Sequence, residues 1–110
     1  MGREELEWPP PAAHVRAALW RAEGHLERRE YSAAFRALAE VFELVGPDEH
    51  ELLRGLYHLA AAGYKGQAGD RVRGRRQLEH ARRRLAGYLP SHRDLDLALL
   101  LDRVERDLGP

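Results

Sequence analysis

The chain has no cysteine, isoleucine, threonine or asparagine among its 110 residues. Without cysteine there is no disulfide framework, no thiolate nucleophile and no cysteine-based zinc site. Ser32 and Ser91 are the only aliphatic hydroxyls, and neither sits in the elbow-like sequence of a hydrolase nucleophile. β-Branched residues are confined to Val15, Val41, Val45, Val72 and Val104, which leaves little material for strands. No apolar run approaches the roughly 20 residues that span a bilayer, and "MGREELEWPPP" lacks the basic-then-apolar order of a secretory signal. Gly2 does not read as a myristoylation site, because the motif's Ser or Thr position is Leu6. The expectation is a cytoplasmic protein with no membrane partner.

What is abundant is Leu, Ala, Arg and Glu, the material of helices. A chain of this length fits one domain and buries roughly two-thirds of its unfolded surface, enough for a core without staples. The reading is all-α: a proline-rich arm over residues 1–11, then a single helical domain over 12–110. Pro11 suits the first turn of a helix with Val15, Leu19, Ala22 and Leu26 on its apolar stripe, ending near Glu27 to Glu30. Ser32 is placed to cap a second helix carrying Ala34, Phe35, Leu38, Val41, Phe42 and Val45, which Gly46-Pro47 ends. Asp48 and Glu51 have capping-box spacing at the start of a third helix. From Leu52 to Tyr64 that helix is apolar around much of its circumference and reads as the buried centre. Asp70 caps a fourth helix to about Gly87 with Leu78, Ala81 and Leu85 inward. Asp94 or Asp96 caps a fifth, using Leu97, Leu100, Leu101, Val104 and Leu108 before Gly109. Trp8 and Trp20 are expected to pack against the bundle.

"REYSAAFRAL" at 29–38 and "GDRVRGRRQL" at 69–78 place a turn, a cap and small and leucine positions at the same offsets. Two related helix hairpins, as in a tetratricopeptide-like stack, are therefore an alternative to a compact bundle of about five helices.

Glycines at 63, 66 and 69 flanking Lys65 superficially suggest a phosphate loop. A Walker-type loop needs a preceding strand and a Lys followed by Ser or Thr, whereas Lys65 precedes Gly66 inside a helical pattern. The dinucleotide fingerprint fails for want of a strand and of the tight first glycine pair. Gly55, Ala62, Gly63 and Gly66 read instead as a helix-packing stripe, at about 1 kcal/mol of helix propensity per glycine. No cofactor is expected.

The net charge is zero but unevenly spread. Residues 1–51 carry 6 basic and 11 acidic groups, 52–90 carry 9 and 2, and 91–110 carry 3 and 5. Such blocks satisfy each other across a fold or across a dimer. Arg73, Arg76, His80 and Arg83 share the outer face of the fourth helix and form a candidate anion- or nucleic-acid-binding stripe. The absence of interleaved aromatics favours an ordinary solvated face. Histidines occur at 14, 25, 50, 58, 80 and 92, with no pair spaced to share a helix face. "HELLR" at 50–54 lacks the second histidine of a zinc-protease helix, so no metal ligand is assigned. His58 reads as a hydrogen-bonded core histidine.

"LLRGLYHLAAAGYKGQAGD", "LEHARRRL", "YLP" and "LDLALLLDRVERDLG" resemble the small all-helical family catalogued as domain of unknown function number 309, over about Ala18 to Leu108. The resemblance implies about five helices, often oligomers, and no established activity. On its second helix that family carries an aromatic residue, a His-Glu pair, a second Glu and a Trp. Aligned on Leu38, Tyr31 matches the aromatic and Phe42 takes the Trp place, but Phe35 and Arg36 replace the pair and Ala39 replaces the second Glu. Arg54 stands where glutamine or arginine is usual, and Tyr64 where histidine is frequent. A His and a Glu four apart could hold a metal or a proton, while Phe and Ala only pack, so these positions are expected to have become core.

The function expected from the sequence is association, as a homodimer or with a protein partner, without catalysis. Anion or nucleic-acid binding through the fourth helix is the alternative, and an unrecognised metal-dependent enzyme a further one.

Overall fold

Apolar residues at helical spacing become five α-helices in the computed structural model, which describes residues 12–109. They are α1 (Ala12–Glu27), α2 (Tyr31–Phe42), α3 (His50–Gln67), α4 (Arg71–Leu85) and α5 (Leu97–Leu108). A 3-10 turn at Pro47–Glu49 leads into α3, and another at Ala86–Tyr88 follows α4. A two-residue ribbon, β1 (Ser91–His92) against β2 (Leu95–Asp96), precedes α5. Leu89–Pro90 is a cis peptide. Among the described residues no helix is long and apolar enough to cross a membrane.

The α1–α2 and α3–α4 hairpins share one turn design. Each helix closes with a left-handed residue, Arg29 (φ 61°) or Gly69 (φ 84°). The Arg29 and Glu30 amides donate to the Leu26 and His25 carbonyls; those of Gly69 and Asp70 donate to Gly66 and Lys65. This pair of bonds is the Schellman arrangement, and Glu30 and Asp70 then begin the next helices. It is the structural content of the repeated stretches at 29–38 and 69–78. Asp70 caps α4 by accepting the Arg73 amide, and Asp96 caps α5 by accepting that of Leu99.

Three local expectations are corrected. Ser32 is not a cap: the turn brings the chain into helix already at Tyr31, which leaves Ser32 inside the first turn. Asp48 and Glu51 form no capping box, because the 3-10 turn moves the helix boundary to Glu49; the Asp48 carbonyl accepts the Tyr88 hydroxyl and Glu51 pairs with Arg84. Trp20 points outward from α1 and is 53% exposed. The expectations for Trp8 and for the arm over 1–11 lie outside the described residues.

Helix α3 packs against α2, α4 and α5, and Leu52, Leu53, Leu56, Leu59, Ala60 and Ala62 are buried along it. Its small residues set how near those helices come. A Cβ on Gly55 would lie 2.5 Å from Leu85 Cδ2, and one on Gly66 would lie 2.9 Å from Leu108 Cδ2. The Gly63 position faces the Tyr31 ring. On α4, a Cβ at Gly74 would meet the same Leu108 methyl and the Ala62 carbonyl. The chain's own side chains fill the stripe.

The charge blocks also meet inside the fold. Arg82 and Arg84 of the basic stretch pair with Glu105 and Glu51 of the acidic flanks. Arg29 grips Asp107 with two hydrogen bonds at 2.6 and 2.9 Å. Glu49 accepts from Arg93 at 2.6 and 2.7 Å and lies 2.8 Å from His92 Nε2, tying the ribbon to the start of α3.

Candidate functional site

Helix α2 with its C-cap, and helix α3, each present two pairs of residues four apart: Leu38 with Phe42 and Ala39 with the cap Glu43, then Leu53 with Tyr57 and Arg54 with His58. That spacing stacks side chains on one helix face. Together these eight residues line a groove of about 340 Å³ between the helices.

Aromatic rings surround it. Phe35 and Tyr57 lie with ring centroids 4.7 Å apart, and Tyr64 meets Phe35 edge-on at 6.2 Å. Phe42 stacks on His50 at 4.1 Å, and the Arg54 guanidinium sits 5.9 Å from the Phe42 centroid. Tyr57 and Tyr64 are 51% and 48% exposed, whereas Phe35 and Phe42 are half-buried. The cluster therefore leaves two tyrosine rings half exposed beside an apolar floor. Arg36 and Ala39 are exposed on the flank of α2.

Of the family-signature positions, Tyr31 is buried in the core, Phe35 and Phe42 pack half-buried against it, and Arg36 and Ala39 are exposed. The buried stripe of α2 is Tyr31, Ala34, Ala37, Leu38 and Val41. Ala39 and Phe42 fall beside it toward α3 and line the groove, and Phe35 meets the ring of Tyr57. Only Tyr31 is deeply buried, and burial, reinforced by nearby Asp107, raises its phenol above the usual range.

The arginine face of α4 is divided. Arg73 stays near its own cap, 3.6 Å from Asp70. Arg83 Nη2 lies 3.0 Å from His80 Nδ1, and Arg76 is exposed one turn before His80. Loss of solvation, then the charges of Arg83 and Arg84 and the adjacent His58 and Arg76, hold the His80 imidazole below its ordinary value. The sequence reading missed Arg84 and Glu51, which with His80 and Arg83 line a second cavity of about 380 Å³. His58 is half-buried rather than in the core; its Nδ1 lies 2.7 Å from Gln77 Oε1 and its ring 5.1 Å from that of His80. Among the described residues no three His, Asp or Glu side chains group as a metal site.

Compared with protein-family models, with curated proteins and with solved structures, the chain matches none. The chemistry must be read from the surfaces themselves. The groove offers apolar area, aromatic faces and a guanidinium; the α4 cavity offers cations around one carboxylate.

Proposed function

We propose that the chain is a binding module rather than an enzyme, and that it works by seating a protein segment in the groove between α2 and α3. The observation that carries this reading is Tyr57, half exposed, with its ring held against Phe35 at the groove's edge. Rigid aromatic side chains on an apolar floor are the anchors from which protein interfaces draw most of their binding energy. The glycine stripe lends no support to self-association, since its space is occupied within the chain. A homodimer or a different protein partner would therefore dock through the aromatic groove. On this reading the chain is a divergent relative of the family that it resembles, with an apolar groove wall where that family has polar residues.

The reading is tested by mapping NMR shifts on the labelled protein with millimolar indole. Shifts should concentrate on Leu38–Glu43 and Leu53–His58 and weaken at least fivefold in Ala39→Glu, which puts a carboxylate into the groove. Scattered shifts, or none, would overturn it.

A second reading rests on Arg76 and Arg83, neither of which has a carboxylate partner among the described residues. Together with His80 they could hold a phosphate-rich ligand. Salt-dependent binding of single-stranded RNA, weakened in the Arg76→Ala/Arg83→Ala variant, would support it; no binding at low salt would remove it.

A further inference from the structure

We infer that the segment seated between α2 and α3 carries a phosphate group about three residues from its apolar anchor, and that Arg76, His80 and Arg83 of α4 receive that phosphate. The inference rests on reading the groove as a docking surface and names the class of partner, a phosphorylated peptide.

Position supplies the first argument. His58 lines the groove, and its ring lies 5.1 Å from that of His80, which lines the cavity between α3 and α4. Arg54, also of the groove lining, comes within 4.0 Å of Glu51 in the wall of that cavity. The two hollows thus flank the same stretch of α3 and meet across it. A helix with its side chains is about 10 Å wide and an extended peptide advances about 3.3 Å per residue, so about three residues carry a chain from one hollow to the other.

Charge is the second argument. Glu51 is already engaged, because Arg84 donates to both of its oxygens at 2.7 and 2.9 Å. Arg76 and Arg83 are exposed and have no carboxylate partner among the described residues; Glu79, which lies between them in sequence, pairs with neither. Glu43, the one carboxylate of the groove lining, stands on the α2 side, away from α4. A cationic edge therefore borders the apolar groove on its α4 side.

The donor pattern is the third argument. A guanidinium only donates, so Arg83 Nη2, 3.0 Å from His80 Nδ1, makes Nδ1 the acceptor and leaves the proton on Nε2. Loss of solvation, then the charges of Arg83, His58, Arg84 and Arg76, favour this neutral form, and Glu51, the anionic member of the cavity, is taken up by Arg84. His80 thus offers an N–H beside two unmatched guanidinium groups. A phosphate brings three acceptor oxygens and a charge of about −1.5 to −2, which suits this array better than a single carboxylate does. Arginine clusters recognise phosphorylated segments in this way.

The test titrates a hexapeptide, with a tryptophan and a phosphoserine three positions on, into the isotope-labelled full chain at low salt. Amide shifts should appear together at Tyr57, His58, His80 and Arg83, and the phosphopeptide should bind about tenfold tighter than its serine counterpart. That gain should fall below about twofold in Arg76→Ala/Arg83→Ala. The His80 imidazole should titrate at higher pH in the complex than in the free chain, since the bound anion offsets the cations around it. Equal affinity for the two peptides, with indole still mapping to the groove, would overturn the phosphate and leave the docking surface standing. Shifts confined to α4 and reproduced by inorganic phosphate alone would overturn the joint site in favour of an isolated anion site. Single-stranded RNA that binds more tightly than the phosphopeptide and displaces it would overturn the inference in favour of nucleic acid. Failure of indole to map to the groove would remove both the inference and the reading beneath it.

Discussion

The ring of Tyr31 occupies the space in which any side chain at Gly63 would have to sit. Tyr31 is 3% exposed, so the ring has nowhere to swing. Gly63→Ala gains about 1 kcal/mol of helix propensity but forces overpacking, which costs about 1–3 kcal/mol. A net loss of up to about 2 kcal/mol in urea unfolding is expected. Gly87→Ala, which meets nothing within 4 Å, should be neutral or slightly stabilising.

Arg29 and Gly69 hold the same left-handed position in the two hairpin turns, yet one is a long side chain. Arg29→Gly relieves the backbone cost while losing an exposed, solvent-screened ion pair that contributes little. Arg29→Ala loses the pair without that relief. The glycine variant should therefore be more stable than the alanine variant by about 1 kcal/mol in thermal or urea unfolding.

Asp96 and Ser32 separate a real cap from an apparent one. Asp96→Ala frees the Leu99 amide and should cost about 1 kcal/mol, whereas Ser32→Ala should change stability by a few tenths or less. Equal losses at the two sites would contradict the helix boundaries.

The hydrogen bonds from Arg93, with smaller help from His92, hold the Glu49 carboxyl below its ordinary value of 4.5. The native state therefore binds fewer protons than the unfolded chain in that range. The stability this carboxylate contributes is complete above the ordinary value and disappears as pH falls through the lower folded one. Asp107 and Glu30 are shifted the same way. Melting temperatures followed from pH 7 to 3 should thus fall more steeply for the wild type than for Glu49→Gln, and parallel curves would refute the role given to Glu49.

Wherever one helix face is buried along its length, the sequence shows it. The stripe Leu97, Leu100, Leu101, Val104 and Leu108 needs only helical periodicity to be recognised, and all five are buried. The ribbon at 91–96 is different. Its turn places Arg93 and Asp94 at φ 50° and 66°, where glycine or asparagine would be the local signal. The contact that holds Arg93 there comes from Glu49, 44 positions away. The groove was half legible for a related reason. Phe35 and Phe42 are seven residues apart, as are Tyr57 and Tyr64, so each helix carries its own aromatic row. What periodicity alone did not reveal is that the rows lie at the edge of the α2–α3 contact instead of within it.

Helix α5 reaches both hairpins. Its Asp107 holds Arg29 and its Arg103 donates to the Glu27 carbonyl, while Leu108 lies between Gly66 and Gly74. Each hairpin is built from contacts between neighbours in sequence, whereas the clasps to Arg29 and Glu27 join positions more than seventy apart. The order of assembly follows from that difference: the hairpins nucleate locally and early, and docking of α5 is the slow closure that turns two independent local units into one cooperative whole. In the mature molecule the same helix should set the threshold for partial opening, so that amide exchange in α1 and α2 accelerates together once α5 lifts away.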